Sequence, residues 1–312
     1  MQQVKNYNEM PYQGIRTFLK AGTYPIDAGI KVIGVTLDSN TSFRSGARHG
    51  PAAIREASLM LTDGSHPVFK NNIDYNHIYD AGDFPVNNSS PHFTMEEFQR
   101  DCYISLCSNK DLKHLLLGGD HSLSYYMIKA LSHVLSKKIS VVHFDAHCDT
   151  WKTAWGEKIA HGTWLYHAIN DGYVDPVTSI QIGIRSPCDP ETSEWFTKQC
   201  GTVINSRALM NNSLDWVINK ISSTVDPESA YLTFDIDALD PAYAPGTGTP
   251  EIGGMTTQQA QYIIEDLNIN WLAADFVEVC PAYDHANITA LAAASLAYSW
   301  VCQQQSLFNL IK

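Results

Sequence analysis

The sequence lacks the features that mark several classes of protein. No apolar run reaches the roughly eighteen residues that a membrane-spanning helix needs, and the N-terminal segment has neither the apolar core nor the cleavage site of a secretory signal. The seven cysteines are odd in number, scattered and without a C-x-x-C pair, which argues against a disulfide framework. We therefore expect a cytoplasmic protein with reduced thiols and no membrane partner.

Positive charge is also scarce. The chain has 21 Lys and Arg residues against 33 Asp and Glu residues, which gives a formal net charge of −12. This charge argues against a nucleic-acid partner and mildly favours a small cationic substrate. The net charge alone is explained equally well if the acidic residues only keep the protein in solution.

Internal repeats, low-complexity tracts and a Pro/Gly-rich linker are missing as well, so we assign one domain to residues 31–312 and regard residues 1–30 as an uninformative N-terminal extension. Eight short aliphatic or β-branched runs alternate with stretches of helical character. This alternation predicts an α/β fold of three layers, with helices on both faces of a mainly parallel, eight-stranded sheet. The predicted strands are 31–37, 77–83, 115–121, 140–149, 179–186, 201–206, 230–237 and 272–279.

Polar side chains follow the C-terminal ends of four of these strands. If the strands continue through these residues, side chains two positions apart lie on one face. The carboxyl ends of parallel strands meet at one edge of the sheet, where ligands bind, so the four strands can deliver these groups to one place. The groups are His121, then Asp145, His147 and Asp149 in "VVHFDAHCDT", Asp235 and Asp237 in "TFDID", and Glu278 in "DFVEV".

Two histidines and four aspartates at one sheet edge predict a metal site. Carboxylates a few ångströms apart repel strongly, so cations must accompany them. Oxygen and nitrogen ligands without a thiolate suit two divalent ions, with Mn²⁺ favoured and Zn²⁺, Co²⁺ or Fe²⁺ possible. Taken alone, a D-x-D at a strand end is more often a loop or helix cap.

Neighbouring polar residues are assigned supporting roles. We interpret His143 as a hydrogen-bonded core histidine and Cys148 as a small packed residue that faces away from the ligands. Asp120 and Asp240 are interpreted as turn residues or as partners of the ligands.

Five segments resemble the signature motifs of the ureohydrolase superfamily, which includes arginases and agmatinases, and the resemblance is closest to agmatinases. They are "GGDHS", "FDAHCDT", "AHGTW", "TFDIDALDPAYAPGTGTPEIGGMT" and "DFVEVCPAYDHANITALAAA". The resemblance extends from "SGARHGPAAIR" to the C-terminal helix and implies an arginase-like fold with two Mn²⁺ per chain. It places His121, Asp145, Asp149 and Asp235 on one ion, and His147, Asp145, Asp235 and Asp237 on the other.

The resemblance also implies a reaction, the hydrolysis of a guanidino group to urea and an amine. Agmatine would give putrescine and urea, and the alternative substrate is 4-guanidinobutyrate, which would give 4-aminobutyrate. Glu278 would bind and orient the guanidinium, His161 would shuttle protons, and Asp149 would be both a ligand and a catalytic residue. Family likeness further implies a homo-oligomer, a trimer or a hexamer.

The far end of the substrate depends on the loop after the metal motif. Arginases place an asparagine where this chain has Trp151, which disfavours arginine. Trp151 and Trp155 could pack on an alkyl chain or face an ammonium. Lys152 or Lys158 could instead meet a carboxylate, unless both lysines are merely solvated.

Two other functions remain as alternatives. A single-zinc amide deacetylase would share the fold, and a polyamine-binding regulatory protein could descend from the family. A one-metal enzyme does not need both the D-x-H-x-D and the D-x-D motif complete, and a regulator is expected to lose ligands. The complete set of six candidate ligands therefore favours the binuclear hydrolase.

Overall fold

Within residues 10–311, which the computed structural model describes, eight strands form one sheet in which every neighbouring pair is parallel. Each predicted strand is present, so the expected sheet is confirmed. The strands are β1 (Gly29–Val35), β2 (Ile78–Phe84), β3 (Leu112–Gly118), β4 (Ser140–Phe144), β5 (Ile180–Ile182), β6 (Thr202–Ile204), β7 (Ala230–Asp235) and β8 (Ala273–Val277).

Ten α-helices connect or follow these strands in the described part of the chain. They are α1 (Gly50–Ser58), α2 (Pro91–Ser108), α3 (Leu123–Leu135), α4 (Trp164–Asn170), α5 (Pro190–Ser193), α6 (Trp195–Lys198), α7 (Ser206–Asn211), α8 (Leu214–Thr224), α9 (Thr257–Asp266) and α10 (Ile288–Ile311). Several of these helices begin at a residue whose side chain caps the first turn. The side chain of Thr256 accepts the N–H of Gln259 and the side chain of Gln259 accepts the N–H of Thr256, a capping box that begins α9. None of the described helices is long and apolar enough to cross a membrane.

Two apolar cores lie on opposite faces of the sheet. In β1, Ile30 and Val32 face the core that α1, α8, α9 and α10 cover, whereas Ile33 and Val35 face the core that α2, α3 and α4 cover. Side chains alternate across a strand, so a strand buried on both faces must be apolar at nearly every position. The expected three-layer α/β/α architecture is therefore confirmed.

The strand order is β2-β1-β3-β8-β7-β4-β5-β6. The four strands that precede the candidate site residues, β3, β8, β7 and β4, are thus contiguous at the centre of the sheet. Their C-terminal ends open side by side at one edge, which is where helices diverge and ligands bind in parallel sheets.

Part of the N-terminal segment packs against the edge of this sheet. Phe18 and Leu19 are fully buried, and the N–H of Phe18 donates to the carboxylate of Asp80 at 2.7 Å. Gly22 forms a β-bridge with Tyr79 of β2. These contacts give residues 18–22 a structural role that composition did not reveal.

Candidate active site

The acidic motifs lie on loops and not on continuing strands. β4 ends at Phe144, so Asp145, His147 and Asp149 belong to the loop that follows it. Asp237 lies in a short 3-10 turn after β7. The expectation that strand alternation aligns these residues is wrong, because the strands stop one residue before or at the first aspartate. Their convergence comes from the loop conformations.

Gly119 determines how the loop after β3 enters the site. A Cβ atom at this position would lie 1.9 Å from the carbonyl oxygen of Leu37, so only glycine allows the close approach. The N–H of Gly119 donates to the carbonyl of Val35 at 2.8 Å, and its own carbonyl accepts the N–H of Glu278 at 2.9 Å. This loop is thereby fixed between the ends of β1 and β8, which brings His121 beside Glu278.

Asp149 and Glu278 have unusual backbone conformations. Their φ angles are +52° and +65°, in the left-handed region that non-glycine residues seldom adopt. Both are held there by hydrogen bonds: the indole N–H of Trp164 donates to Asp149 Oδ2 at 2.7 Å, and the N–H of His121 donates to Glu278 Oε1 at 3.0 Å. Strain of this kind persists where the surrounding structure enforces it, and it is concentrated at functional sites.

Four buried side chains form the first candidate metal-binding group. His121 Nδ1 lies 3.1 Å from Asp145 Oδ2 and 3.2 Å from both Asp149 Oδ2 and Asp235 Oδ2. Ligand atoms that surround a divalent ion at about 2.1 Å are separated by roughly 3 Å. The three oxygens therefore lie at the distance from His121 Nδ1 that is expected of ligands to a single ion.

A second group adjoins the first and shares Asp145 with it. His147 Nδ1 lies 3.3 Å from Asp145 Oδ1 and 3.1 Å from Asp237 Oδ2. Asp145 thus directs one oxygen to each group, which is the geometry of a bridging carboxylate. The other oxygen of Asp235 accepts the N–H of Asp237 at 2.9 Å, so the contacts of Asp235 place it with the first group.

The charges of this cluster need compensation. Burial, together with the charge of Asp145, raises the pKa of Asp149 well above its ordinary value, and burial together with the charge of Asp237 does the same for Asp235. Burial opposes a charge on His147, but the charges of Asp237 and Asp145 and their hydrogen bonds to the ring together outweigh it and raise the pKa of that imidazole. Without cations the cluster retains protons, so bound divalent ions would replace them.

A buried hydrogen-bond network fixes the orientation of His121. Thr233 Oγ1 donates to Asp275 Oδ1 at 2.5 Å and therefore accepts from His121 Nε2, 2.7 Å away. Ser124 and Tyr231 also donate to Asp275. The proton of the His121 ring is held on Nε2, so the lone pair of Nδ1 faces the carboxylates, as a metal ligand requires.

Replacing Thr233 with valine should weaken metal binding without unfolding the protein. Valine has a similar shape but cannot accept the Nε2 proton, so His121 loses its fixed orientation, and loss of such a partner typically costs ~10–100-fold in metal affinity. Chelator competition with Mn²⁺ measures the effect. Ser124→Ala is the matched control, because the Ser124 hydroxyl donates to Asp275, whereas its contact with His121 is through the backbone and is kept in alanine. Equal Mn²⁺ affinity in Thr233→Val and the unmodified protein would contradict this role.

His143 is a hydrogen-bonded core residue, as the sequence indicated. Gln181 Nε2 donates both to the carbonyl of Cys148 at 2.7 Å and to His143 Nδ1 at 3.0 Å. His143 Nδ1 is therefore an acceptor, and the proton on Nε2 points to Asp145 Oδ2 at 2.7 Å. His143 therefore orients Asp145 and has no free lone pair with which to bind a metal ion. By distance alone its ring nitrogen is close enough to belong to the first group.

Glu278 is 1% exposed and has one oxygen without a partner among the described residues. Oε1 accepts the N–H of His121 and lies 3.3 Å from His161 Nδ1, whereas Oε2 is buried without a hydrogen bond. An unsatisfied buried carboxylate oxygen is costly. This oxygen is therefore suited to accept an N–H from a bound ligand, and a guanidinium offers several.

His161 lies between Glu278 and the loop that carries Ser42. The N–H of Ser42 donates to His161 Nε2 at 3.0 Å, so in this arrangement the ring proton is on Nδ1, facing Glu278. Burial disfavours a charge on the ring, but the hydrogen bond to Glu278 and the negative charges of Glu278, Asp149 and Asp120 together outweigh it and raise the pKa of His161 to about 9. The raised pKa favours a protonated, charged His161 at neutral pH, whereas the hydrogen bond from Ser42 requires a neutral ring. Because the Ser42 N–H can only donate, His161 Nε2 must carry a lone pair here, and the ring is neutral. Protonation of Nε2 requires the Ser42 segment to shift.

A cavity of about 450 Å³ opens above these groups. Trp151, Trp155 and His161 line it, and Asp149 and Thr249 lie in its wall. Trp155 is 81% exposed and stands at the surface, whereas Trp151 packs against the backbone of a neighbouring glycine. Among the described residues, no lysine or arginine lines this cavity.

The two loop lysines are engaged elsewhere. Lys152 Nζ lies 2.6 Å from a carboxylate oxygen of Glu191, and Lys158 Nζ lies 3.2 Å from Asp171. Both side chains are mostly exposed. They form surface ion pairs, which agrees with the simpler interpretation that they do not reach the substrate.

Several polar residues of the site escaped the sequence analysis. Thr249 donates to Asp237 Oδ2 at 3.2 Å, and Ser42, Gln181 and Thr233 position the groups described above. Nothing in their local sequence distinguishes them. Asp275 did carry a signal, since an acidic residue inside the apolar strand "AADFVEV" must be paired when buried.

The family model described as the arginase family matches residues 28–302. A protein named agmatinase from Klebsiella pneumoniae is 41% identical over 278 residues, which cover 88% of this chain and 87% of that protein. A crystal structure described as a hypothetical agmatinase from Burkholderia thailandensis is 36% identical and superposes with a TM-score of 0.88, over 96% of this chain and 93% of that chain. Proclavaminate amidino hydrolase from Streptomyces clavuligerus is 30% identical with a TM-score of 0.86, over 96% and 99% of the two chains.

Proposed function

Because the chain belongs to the arginase family and is a ureohydrolase, we propose that its substrate is agmatine, which it hydrolyses to putrescine and urea. The observation that carries the choice of substrate is the cavity wall, in which two indoles stand beside the candidate ligands and no lysine or arginine is present among the described residues. A substrate with a cation at each end matches such a wall.

We propose that the six predicted ligands hold two Mn²⁺. Asp145 has an oxygen facing each group and would serve both ions, whereas Asp235, whose other oxygen accepts the N–H of Asp237, would serve the first. The donors are oxygen and imidazole nitrogen without a thiolate, a set that suits manganese, and the raised pKa values of Asp149 and Asp235 report the charge that cations would neutralise. When bound, such ions supply water activated near neutral pH and stabilise developing negative charge. The deacetylase and regulator alternatives predict one ion and none per chain.

Glu278 is proposed to bind the guanidinium. Its unpartnered Oε2 would accept one N–H of the substrate, while the N–H of His121 holds Oε1 in place. A carboxylate fixed in this way orients the planar guanidinium and keeps its carbon beside the acidic cluster. The buried position of Glu278 also excludes water from the contact.

His161 is proposed to carry a proton to the departing amine. Its ring lies at the wall of the cavity, between Glu278 and Ser42, and Nε2 would become the donor once the Ser42 segment moves. An imidazole is well matched to proton transfer near neutral pH. Asp149, held by the Trp164 indole, is proposed to contribute to catalysis as well as to metal binding.

We expect kcat/KM to rank agmatine above 4-guanidinobutyrate, with arginine poorest. All three present the same guanidinium, so the far end decides: an ammonium gains ~0.5–2 kcal/mol from an indole face, whereas a buried carboxylate without a partner is penalised. Urea release from one Mn²⁺-loaded preparation measures the ranking. An advantage of 4-guanidinobutyrate by about tenfold, ~1.4 kcal/mol, would overturn it.

Lys152→Ala and Lys158→Ala complete that experiment. The surface ion pairs of both lysines predict that neither variant changes the ranking. If 4-guanidinobutyrate is preferred and one variant selectively abolishes the preference, that lysine turns inward on binding and the proposal for agmatine fails.

We further propose a cytoplasmic homo-oligomer, a trimer or a hexamer, built from one domain of residues 31–312. The family resemblance supports this proposal. One sheet that is covered on both faces extends from Gly29 to Val277, and residues 18–22, which pack against it, extend the domain beyond its proposed start. Light scattering on the purified chain gives the oligomeric state directly.

A further inference from the structure

Two thiols face each other beside the candidate metal site. Cys148 lies between the proposed ligands His147 and Asp149 and is 2% exposed, whereas Cys188 is half-buried. Their sulfur atoms are 3.9 Å apart. A disulfide bond is about 2.0 Å long, so the two sulfurs need to approach by roughly 2 Å to form one.

The two loops that carry these thiols are already fastened together on both sides of them. The carbonyl of Ala146 accepts the N–H of Arg185 at 2.8 Å and that of Ser186 at 3.0 Å. Thr150 Oγ1 donates to the carbonyl of Thr192 at 2.9 Å. Because these contacts bracket the thiols, the loops cannot drift apart, and the sulfurs remain within reach of each other.

We propose that Cys148 and Cys188 form a reversible disulfide when the protein meets a hydroperoxide, and that this bond switches off the metal site. Cys188 is the thiol that solvent reaches, so it reacts first. Cys148 is the buried partner that resolves the product.

The chemistry balances with hydrogen peroxide as the oxidant. The thiolate of Cys188 attacks one peroxide oxygen, the O–O bond breaks, and hydroxide leaves, which produces a sulfenic acid. The sulfur of Cys148 then attacks the Cys188 sulfur, the S–O bond breaks, and the hydroxyl group leaves with the Cys148 proton as water. The hydroxide released in the first step takes up the proton that Cys188 lost, so two thiols are oxidised to a disulfide and one hydrogen peroxide is reduced to two water molecules. A thiol reductant reverses the change.

The disulfide would act on the loop that holds the ligands. The Cys148 carbonyl accepts from Gln181, the residue that also orients His143. Asp149 already has a strained φ of +52°, so the loop has little freedom to absorb a displacement of Cys148. Moving Cys148 towards Cys188 therefore shifts His147 and Asp149 away from the positions in which they face the other ligands.

The test exposes the Mn²⁺-loaded protein to hydrogen peroxide and then follows three quantities. Mass spectrometry after thiol alkylation should find a peptide cross-linked between Cys148 and Cys188. Mn²⁺ affinity and agmatine hydrolysis should both fall by about tenfold or more, and dithiothreitol should restore them. Cys188→Ser should keep its basal activity and resist peroxide, whereas the control Cys107→Ser, which removes an exposed thiol elsewhere, should behave as the unmodified protein.

The outcomes separate this inference from the proposed substrate. The effect of the disulfide on agmatine hydrolysis rests on the proposed function, but the cross-link and the change in Mn²⁺ affinity do not. Both can therefore be measured even if the protein does not hydrolyse agmatine. Absence of the cross-link while Cys188 is oxidised overturns the proposal. So does a cross-link that leaves Mn²⁺ affinity unchanged, or equal inactivation of Cys188→Ser.

Discussion

Replacing Asp237 with alanine removes most of the hydrolytic activity and weakens or releases one of the two ions, while the fold persists. Asp237 is buried, and its Oδ2 lies 3.1 Å from His147 Nδ1, so the change deletes one of the three side chains of the second group. Activity should fall by about 10³-fold or more, because activation of water and stabilisation of charge are lost together. The sheet stays packed, since Asp237 lies beyond the end of β7.

Two measurements check this result, metal content per chain and the initial rate of urea release. Asp240→Asn is the matched control: Asp240 lies in the same segment but accepts the N–H groups of Gly253 and Gly254 and has no ligand role. His147→Ala should reproduce the effect of Asp237→Ala. Near-normal turnover with both ions retained in either variant would refute the binuclear assignment.

Replacing His161 with asparagine lowers kcat by ~10²–10⁴, the usual contribution of a general acid or base, and leaves the metal content unchanged. The ring is held between Glu278 and Ser42 and has no contact with the ligands His121 or His147 that would make it part of the metal site. Asparagine can keep a hydrogen bond to one neighbour but cannot transfer a proton near neutral pH.

The loss should appear in kcat more than in KM, because Glu278, and not His161, is proposed to hold the substrate. His133→Asn, at an exposed histidine near the end of α3, is the control for a change of side chain alone. A change in Mn²⁺ stoichiometry in His161→Asn would mean that a ligand had been mistaken for a proton carrier.

The sheet could be predicted from sequence because its physical requirement is local. A strand covered on both faces is buried along its whole length and mostly apolar. β3, with the sequence "LKHLLLG", is buried at every position, and its two polar side chains, Lys113 and His114, are both hydrogen-bonded. The convergence of His121, Asp145 and Asp235 followed in the same way from the rule that parallel strands share a carboxyl edge. The reason given for the arrangement within each motif was wrong, because β4 and β7 end before the motifs do.

The supporting contacts could not be predicted, because they join residues far apart in the chain. Thr233 and Asp275 lie on neighbouring strands, and His161 meets Ser42 across more than a hundred residues. The partners of Lys152 and Lys158 likewise depend on how a surface loop folds. Residue types set which groups can bind a metal, whereas the tertiary structure sets which nitrogen or oxygen of each group is free to do so.

The central position of β7 and β8 has a consequence for the order in which the protein is made. A ribosome completes β2-β1-β3 and β4-β5-β6 first, but neither half pairs with the other, because β8 joins β3 and β7 joins β4. His121 and Asp145 therefore follow the unpaired edge strands β3 and β4 until residues 230–277 are synthesised and pair with both. Nascent chains that stop before β8 expose two unpaired strand edges, which are liable to aggregate. Activity must appear only when synthesis is nearly finished.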